Sequence, residues 1–251
     1  MISRLEFIKK SSLLFYDPLI PFEKKTIYYL SAGIKMRDQY SLFVMKASGE
    51  FLYTMSLPKR GHSIVVNSKQ NLAAIIARSP GNYIHIFDIE SGIVLYKISP
   101  KDDYHFYGHG YFSKDGRWLY VTENQYESGK GFIGVYDSNN SYKLKEKYYT
   151  NGIGPHEIVI LEDRKTAVIA NGGIRTHPDT GKMKLNIQNM ASKISFIDLD
   201  TGRIKKEKKL NSEFKFISIR HLDVSQENII AFAMQYKGWG RKLNPLVGIC
   251  D

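Results

Sequence analysis

Tyr107-Gly108-His109-Gly110-Tyr111-Phe112-Ser113-Lys114-Asp115-Gly116-Arg117-Trp118-Leu119-Tyr120-Val121-Thr122-Glu123-Asn124 reads as a short strand opening on a histidine, a Lys-Asp-Gly turn, and a second strand of aromatic and β-branched residues. The unit recurs. Gly61-His62-Ser63-Ile64-Val65-Val66 leads through a polar turn to Leu72-Ala73-Ala74-Ile75-Ile76, and Pro155-His156-Glu157-Ile158-Val159-Ile160 leads to Thr166-Ala167-Val168-Ile169-Ala170-Asn171. Arg220-His221-Leu222-Asp223-Val224 leads to Ile229-Ile230-Ala231-Phe232-Ala233. The histidines stand at intervals of 47, 47 and 65 residues. A near-constant period with one enlarged member is the mark of a β-repeat array.

A hairpin follows each unit. Ile84-His85-Ile86-Phe87-Asp88 turns at Ser91-Gly92 into Ile93-Val94-Leu95-Tyr96, and Ile194-Ser195-Phe196-Ile197-Asp198 turns at Thr201-Gly202 into Arg203-Ile204-Lys205. Ile133-Gly134-Val135-Tyr136-Asp137 does the same through Asn139-Asn140, and Leu42-Phe43-Val44-Met45 through Ser48-Gly49. Aspartate at a strand end with Gly or Asn in the turn suits a tight antiparallel reversal. Each repeat therefore holds four strands, a and b from the histidine unit and c and d from the hairpin. Four antiparallel strands every 40–50 residues or so describe propeller blades, and a β-sandwich does not carry so matched a period. The fold expected is an all-β propeller of four-stranded blades, with about four to five blades in an incomplete ring over residues 23–251. The first unit has b, c and d but no a-strand, and the last stops inside its c-strand at Pro245-Leu246-Val247-Gly248-Ile249. A shortened chain is the expectation from those ends.

Residues 1–22 stand outside the repeat. Their apolar run, Leu13-Leu14-Phe15, is far too short to span a bilayer and is interrupted by Asp17 and Pro18. They read as an N-terminal tail or a degenerate export signal. The net charge is +11, but lysines and arginines are dispersed, with no clustered stripe for nucleic acid. Cys250 is the one cysteine, which excludes an internal disulfide and a zinc–thiolate cluster. No Gly-x-Ser-x-Gly, phosphate loop or HExxH motif is present, so no catalytic reaction is identified.

In a propeller, strand a is innermost, and the d–a and b–c connections share one face. His62, His109, His156 and His221 all stand where a d–a connection enters strand a, so they are expected to face the axis from neighbouring blades. Converging imidazoles can hold a transition metal, iron or copper in this reading. The other reading is that each histidine braces its own blade through a hydrogen bond. Glu157 and Arg220 flank two of them, which bracing does not require. The b–c connections reach the same face, and the longest, about Gly172 to Met190, contains Arg175 and His177. Long loops in compact folds often carry function. Arg175, His177, Glu157, Arg220, Glu123 and Asn171 form the candidate ligand set for that face.

Gly61-His62-Ser63, Gly108-His109-Gly110-Tyr111-Phe112-Ser113, Gly152-Ile153-Gly154-Pro155-His156-Glu157, Ala170-Asn171-Gly172-Gly173-Ile174-Arg175-Thr176-His177-Pro178 and Ser218-Ile219-Arg220-His221-Leu222 together resemble the DUF1513 family. The resemblance runs from about Thr26 to Gly248. It implies a bacterial seven-bladed, YVTN/WD40-like propeller, usually exported to the periplasm by the twin-arginine route. The family's genes often lie beside those of imelysin-type iron-regulated proteins, which suggests an envelope partner of the iron-uptake type. Two departures stand out. Arg4 is followed by Leu5 rather than a second arginine, which leaves a cytoplasmic location open, and members continue well past the Pro-Leu-Val-Gly motif. Three functional readings follow: a metal- or ligand-binding envelope propeller that takes part in iron handling, an interaction scaffold for an operon partner, and a truncated product without function. An oxidoreductase related to quinoprotein propellers has fold analogy behind it and nothing else.

Overall fold

The computed structural model describes residues 26–36, 38–180, 183–240 and 244–251. The candidate export signal lies outside them. The described residues form five antiparallel sheets and contain no α-helix, only short 3-10 turns. Blade 1 is β1 (Tyr28–Met36), β2 (Gln39–Lys46) and β3 (Phe51–Ser56). Blade 2 is β4 (Gly61–Asn67), β5 (Leu72–Ala77), β6 (Ile84–Asp88) and β7 (Val94–Ile98). Blade 3 is β8 (Tyr104–Phe112), β9 (Trp118–Gln125), β10 (Lys130–Asp137) and β11 (Lys143–Ile153). Blade 4 is β12 (Pro155–Ile160), β13 (Thr166–Asn171), β14 (Lys193–Asp198) and β15 (Ile204–Lys209). Blade 5 is β16 (Ile217–Val224), β17 (Ile230–Tyr236) and β18 (Val247–Cys250).

Within each sheet the strands follow chain order, and β4, β8, β12 and β16 lie side by side as the inner strands. The fold is a β-propeller with an open ring. As the repeat predicts, the units beginning near His62, His109 and His156 are complete four-stranded blades. β1 lies against β4 as β5 lies against β8 and β13 against β16, so it holds the second position of its blade. Among the described residues no strand pairs with its free edge, and β18 pairs with β17. No described helix is long and apolar enough to cross a membrane.

Blade-to-blade packing explains the apolar runs of the second strands. In β5 every residue is buried: Ala73, Ile75 and Ala77 meet Leu42 and Val44 of blade 1, while Leu72, Ala74 and Ile76 meet Phe106, Leu119 and Val121 of blade 3. β13 repeats this, with Ala167 and Ile169 toward blade 3 and Val168 and Ala170 toward blade 5. A strand covered on both faces has no polar alternation to keep. β17 is covered on one face and alternates buried or half-buried with exposed residues. The hairpins are fastened by the expected aspartates. Asp88 accepts from the Ser91 amide and hydroxyl at 2.8 and 2.7 Å, and Asp198 from the Thr201 amide and hydroxyl at 2.9 and 2.8 Å.

Candidate metal and anion site on the inner strands

All four inner strands carry an irregularity at one level. The register steps between Gly61 and Ser63 in β4, between Pro155 and Glu157 in β12, and between Ile219 and His221 in β16. In β8 it steps between Phe106 and Gly110. A bulge leaves its extra residue unpaired and re-aims the side chain. Those residues are His62, His156 and Arg220, and His109 takes the same place immediately before Gly110. The register counterpart of the three histidines is therefore Arg220. His221 stands one residue further along, level with Glu157, so alignment on histidine alone misplaces the fourth repeat by one position.

Both levels converge. The His62 and His109 rings are 4.8 Å apart at their centroids, His109 and His156 5.0 Å, and His156 and His221 4.9 Å. One ring nitrogen each from His62, His109 and His156 lies within 4.8 Å of the others, and so do ligand atoms of His109, Glu157 and His221. The approach of His62 needs Gly108, which has φ +111 and would place a Cβ 2.6 Å from the His62 ring. A glycine tolerates both the conformation and the contact.

Glu157 fixes the polarity of the cluster. One of its oxygens is 3.3 Å from His109 Nδ1; the other accepts from His221 Nδ1 and the Leu222 amide, both at 2.9 Å. Burial acts to raise this carboxyl, but the hydrogen bond and charge of His109, the Leu222 amide and His221 outweigh it and hold it below its ordinary value. With Nδ1 of His109 facing a carboxylate, its Nε2 is left as the free nitrogen. That atom is buried without a hydrogen-bond partner, and so is His156 Nδ1. Burial, then Arg220, then the neighbouring imidazoles push His156 down to about 2. Partial burial, followed by His109 and Arg78, pushes His62 down to about 4. Both rings are neutral at pH 7 and keep a lone pair for a ligand.

The remaining candidates lie elsewhere. Glu123 is fully buried inside blade 3, accepting from the Tyr136 hydroxyl at 2.5 Å and pairing with Lys147, which also stacks 3.5 Å above the Tyr104 ring. Asn171 is fully buried inside blade 4, accepting from Thr150 Oγ1 at 2.7 Å and donating to Ser195 Oγ at 2.9 Å. Glu123 braces its own blade, whereas Asn171 ties β13 both to Ser195 of its own blade and to Thr150 of blade 3, because buried polar groups must find partners. Arg175 turns away from the axis and donates to the Glu127 carbonyl, while His177 lies 3.9 Å from the Glu127 carboxylate and 3.5 Å from that of Asp179. These two clamp the long loop to the turn after β9 instead of reaching the histidines. The loop is folded onto the body: Ile174 and Met190 are buried, and the Ser192 and Ser218 hydroxyls both donate to the Gly172 carbonyl, at 2.9 and 2.8 Å.

What borders the cluster instead is a cleft of about 670 Å³ lined by His62, His156, Tyr107, Arg220 and three cations the sequence did not single out, Arg78, Lys184 and Lys237. These three come from the b–c connections of blades 2, 4 and 5. No spacing in the sequence marks them, because each loop has its own length. A second hollow of about 540 Å³, around Val65, Tyr111, Ile160 and Arg164, opens at the far ends of the inner strands and is lined by no imidazole among the described residues.

A family model described as "Protein of unknown function (DUF1513)" matches residues 55–251. No curated protein matches in sequence. Among solved structures, one described as Kuenenia stuttgartiensis hydrazine synthase is similar, with a TM-score of 0.62 and 18% identity over 83% of this chain and 55% of that one. The Dos1 propeller is similar with a TM-score of 0.57 and 10% identity over 82% of this chain and 50% of that one. This chain spans about half the length of both. At such identities the likeness is one of fold.

Proposed function

The chain belongs to the DUF1513 family, and on that premise we propose that it is a propeller that binds a transition metal, iron or copper, through His62, His109 and His156. Glu157 and His221 form the supporting pair behind them, and, in line with the family resemblance, the protein works in the cell envelope. The observation that carries the reading is the pair of buried, unpartnered nitrogens, His109 Nε2 and His156 Nδ1. An unsatisfied buried polar group costs about 1–3 kcal/mol. His85 Nδ1 also lacks a partner, but it lies apart from the cluster beside Tyr83, whereas these two nitrogens belong to histidines grouped within ligand reach of one another. Imidazole ligands suit copper, iron and zinc. Ligands about 2.0–2.1 Å from a metal sit roughly 3.4 Å apart, so the 4.8 Å span closes with rotations of the rings. A carboxylate on the far nitrogen of a ligating histidine is the usual means of fixing its tautomer, and Glu157 stands in that relation to His109.

The experiment is metal analysis of untagged protein, with His109→Ala and His156→Ala measured separately for metal content and thermal stability. Loss of metal with folding intact is the expected result. Loss of stability, with no metal ever found in or taken up by the parent, makes these histidines braces and ends the metal reading.

A further inference from the structure

The cleft beside the histidines has an unbalanced charge. Arg78, Arg220, Lys184 and Lys237 all line it, and among the described residues no carboxylate does. None of the four forms an ion pair among the described residues. Their contacts are with neutral groups: Lys184 Nζ donates to the Lys237 carbonyl at 2.7 Å, Lys237 Nζ to the Gln235 side-chain oxygen, and Arg220 to the Tyr107 hydroxyl. Arg220 is largely buried, and burial pushes its guanidinium pKa down. Burial first, and then the like charges of Arg220 and Lys184, push the Lys237 ammonium down to about 8. Glu157, the nearest carboxylate of the cluster, is engaged with His109, His221 and the Leu222 amide. Surface lysines elsewhere in this chain do find acids, as Lys46 does with Glu50 at 2.8 Å. Four cations from three blades turned into one hollow without an acid are therefore not explained by the chain's general positive charge.

We propose that this cleft binds a small organic anion bearing at least two carboxylates, seated between Arg220 at the bulge level and Arg78, Lys184 and Lys237 at the rim. The hollow is much larger than an inorganic anion, and Pro80, Ile174 and the Tyr107 ring supply apolar wall for a carbon skeleton. The two guanidinium groups can each fork onto a carboxylate, and the two ammonium groups act as point charges at the rim. His62 and His156 border both the cleft and the histidine cluster, so a carboxylate of the bound anion can reach a metal held there. The cargo is thus a polycarboxylate and, where the metal reading holds, a metal–polycarboxylate chelate. The anion site itself stands without the metal.

The test is calorimetric titration of the full chain, stripped with a metal-chelating resin, using citrate, acetate and orthophosphate at low salt. Citrate is expected to bind, acetate and orthophosphate to bind at least about tenfold more weakly, and Arg78→Gln and Lys237→Gln each to cost about tenfold in citrate affinity. Both residues lie in loops, and unchanged thermal stability of the variants shows that the fold is intact. Absence of citrate binding in the parent, equal affinity for orthophosphate, or unchanged affinity in the Arg78→Gln/Lys237→Gln double variant overturns the proposal. His109→Ala separates the two readings, because it removes a metal ligand and leaves the cleft's cations in place. Metal uptake without citrate binding rejects this inference alone. Citrate binding by stripped parent and His109→Ala alike, in a protein that never takes up metal, rejects the metal reading alone.

Discussion

At the scale of single residues, Glu157 is the hinge between fold and chemistry. It holds His109 and His221 at once, from a position one step beyond the bulge that aims His156 inward. Glu157→Gln keeps the volume and one hydrogen-bond acceptor but removes the negative charge that orders the His109 tautomer. Metal affinity is expected to fall about 10–100-fold, as for other outer partners of ligating histidines, with little change in melting temperature. Competition with a chromogenic chelator measures the first and calorimetry the second. A large loss of stability at unchanged affinity would show Glu157 to be a brace. By contrast, the buried carboxylate of Glu123 is bound to Tyr136 and Lys147 within its own blade and has no access to the axis.

At the scale of elements, the second strand of each blade decides how much a residue contributes. Ile75 of β5 is fully buried between blades 1 and 2, whereas Ile249 of β18 is 72% exposed. Ile75→Ala is expected to cost roughly 2–5 kcal/mol through lost burial and the cavity left behind. Ile249→Ala should fall within about 0.5 kcal/mol of the parent. Urea midpoints of the two variants measure the difference. Equal midpoints would mean that the interface between the first two blades does not hold the ring together. The same interfaces position the site, because a bulge can aim a side chain at the axis only if neighbouring inner strands are held at one level.

At the scale of the whole molecule, neutral buried imidazoles make stability depend on pH. His105, 1% exposed, is pushed by burial down to about 4, and His156 lower still. Their folded values lie below the ordinary value of 6.5, so the unfolded chain binds more protons as pH falls. Stability is therefore complete above about pH 6.5 and is lost on acidification, for His105 across the window from 6.5 to about 4. For His105 alone the loss is about 2 kcal/mol by pH 5. The Tyr107 and Tyr126 rings pack on it, and the neighbouring His177 further disfavours its charged form. Urea midpoints measured from pH 7.5 to 5 should fall, and His105→Gln should flatten the slope. An unchanged slope in that variant would place the acid sensitivity elsewhere.

The repeat of strand, turn and hairpin determined the blades from sequence, because strand pattern and turn chemistry are local. The Asp88 and Asp198 turns and the doubly apolar β5 and β13 could be read directly as strand ends and buried strands. The period also brought out His62, His109 and His156, which recur at one blade position. Register was a different matter. That Arg220 and not His221 occupies the fourth bulge depends on how β16 pairs with β17, a choice made by the hydrogen bonds of the whole sheet. The grouping of Arg78, Lys184 and Lys237 depends on where three loops of unequal length fold over the ring, and the inward turn of Glu123 and Asn171 on which side of each blade is covered by the next. Sequence carries periodicity along the chain. Convergence across blades is a property of their packing, and only the tertiary structure holds it.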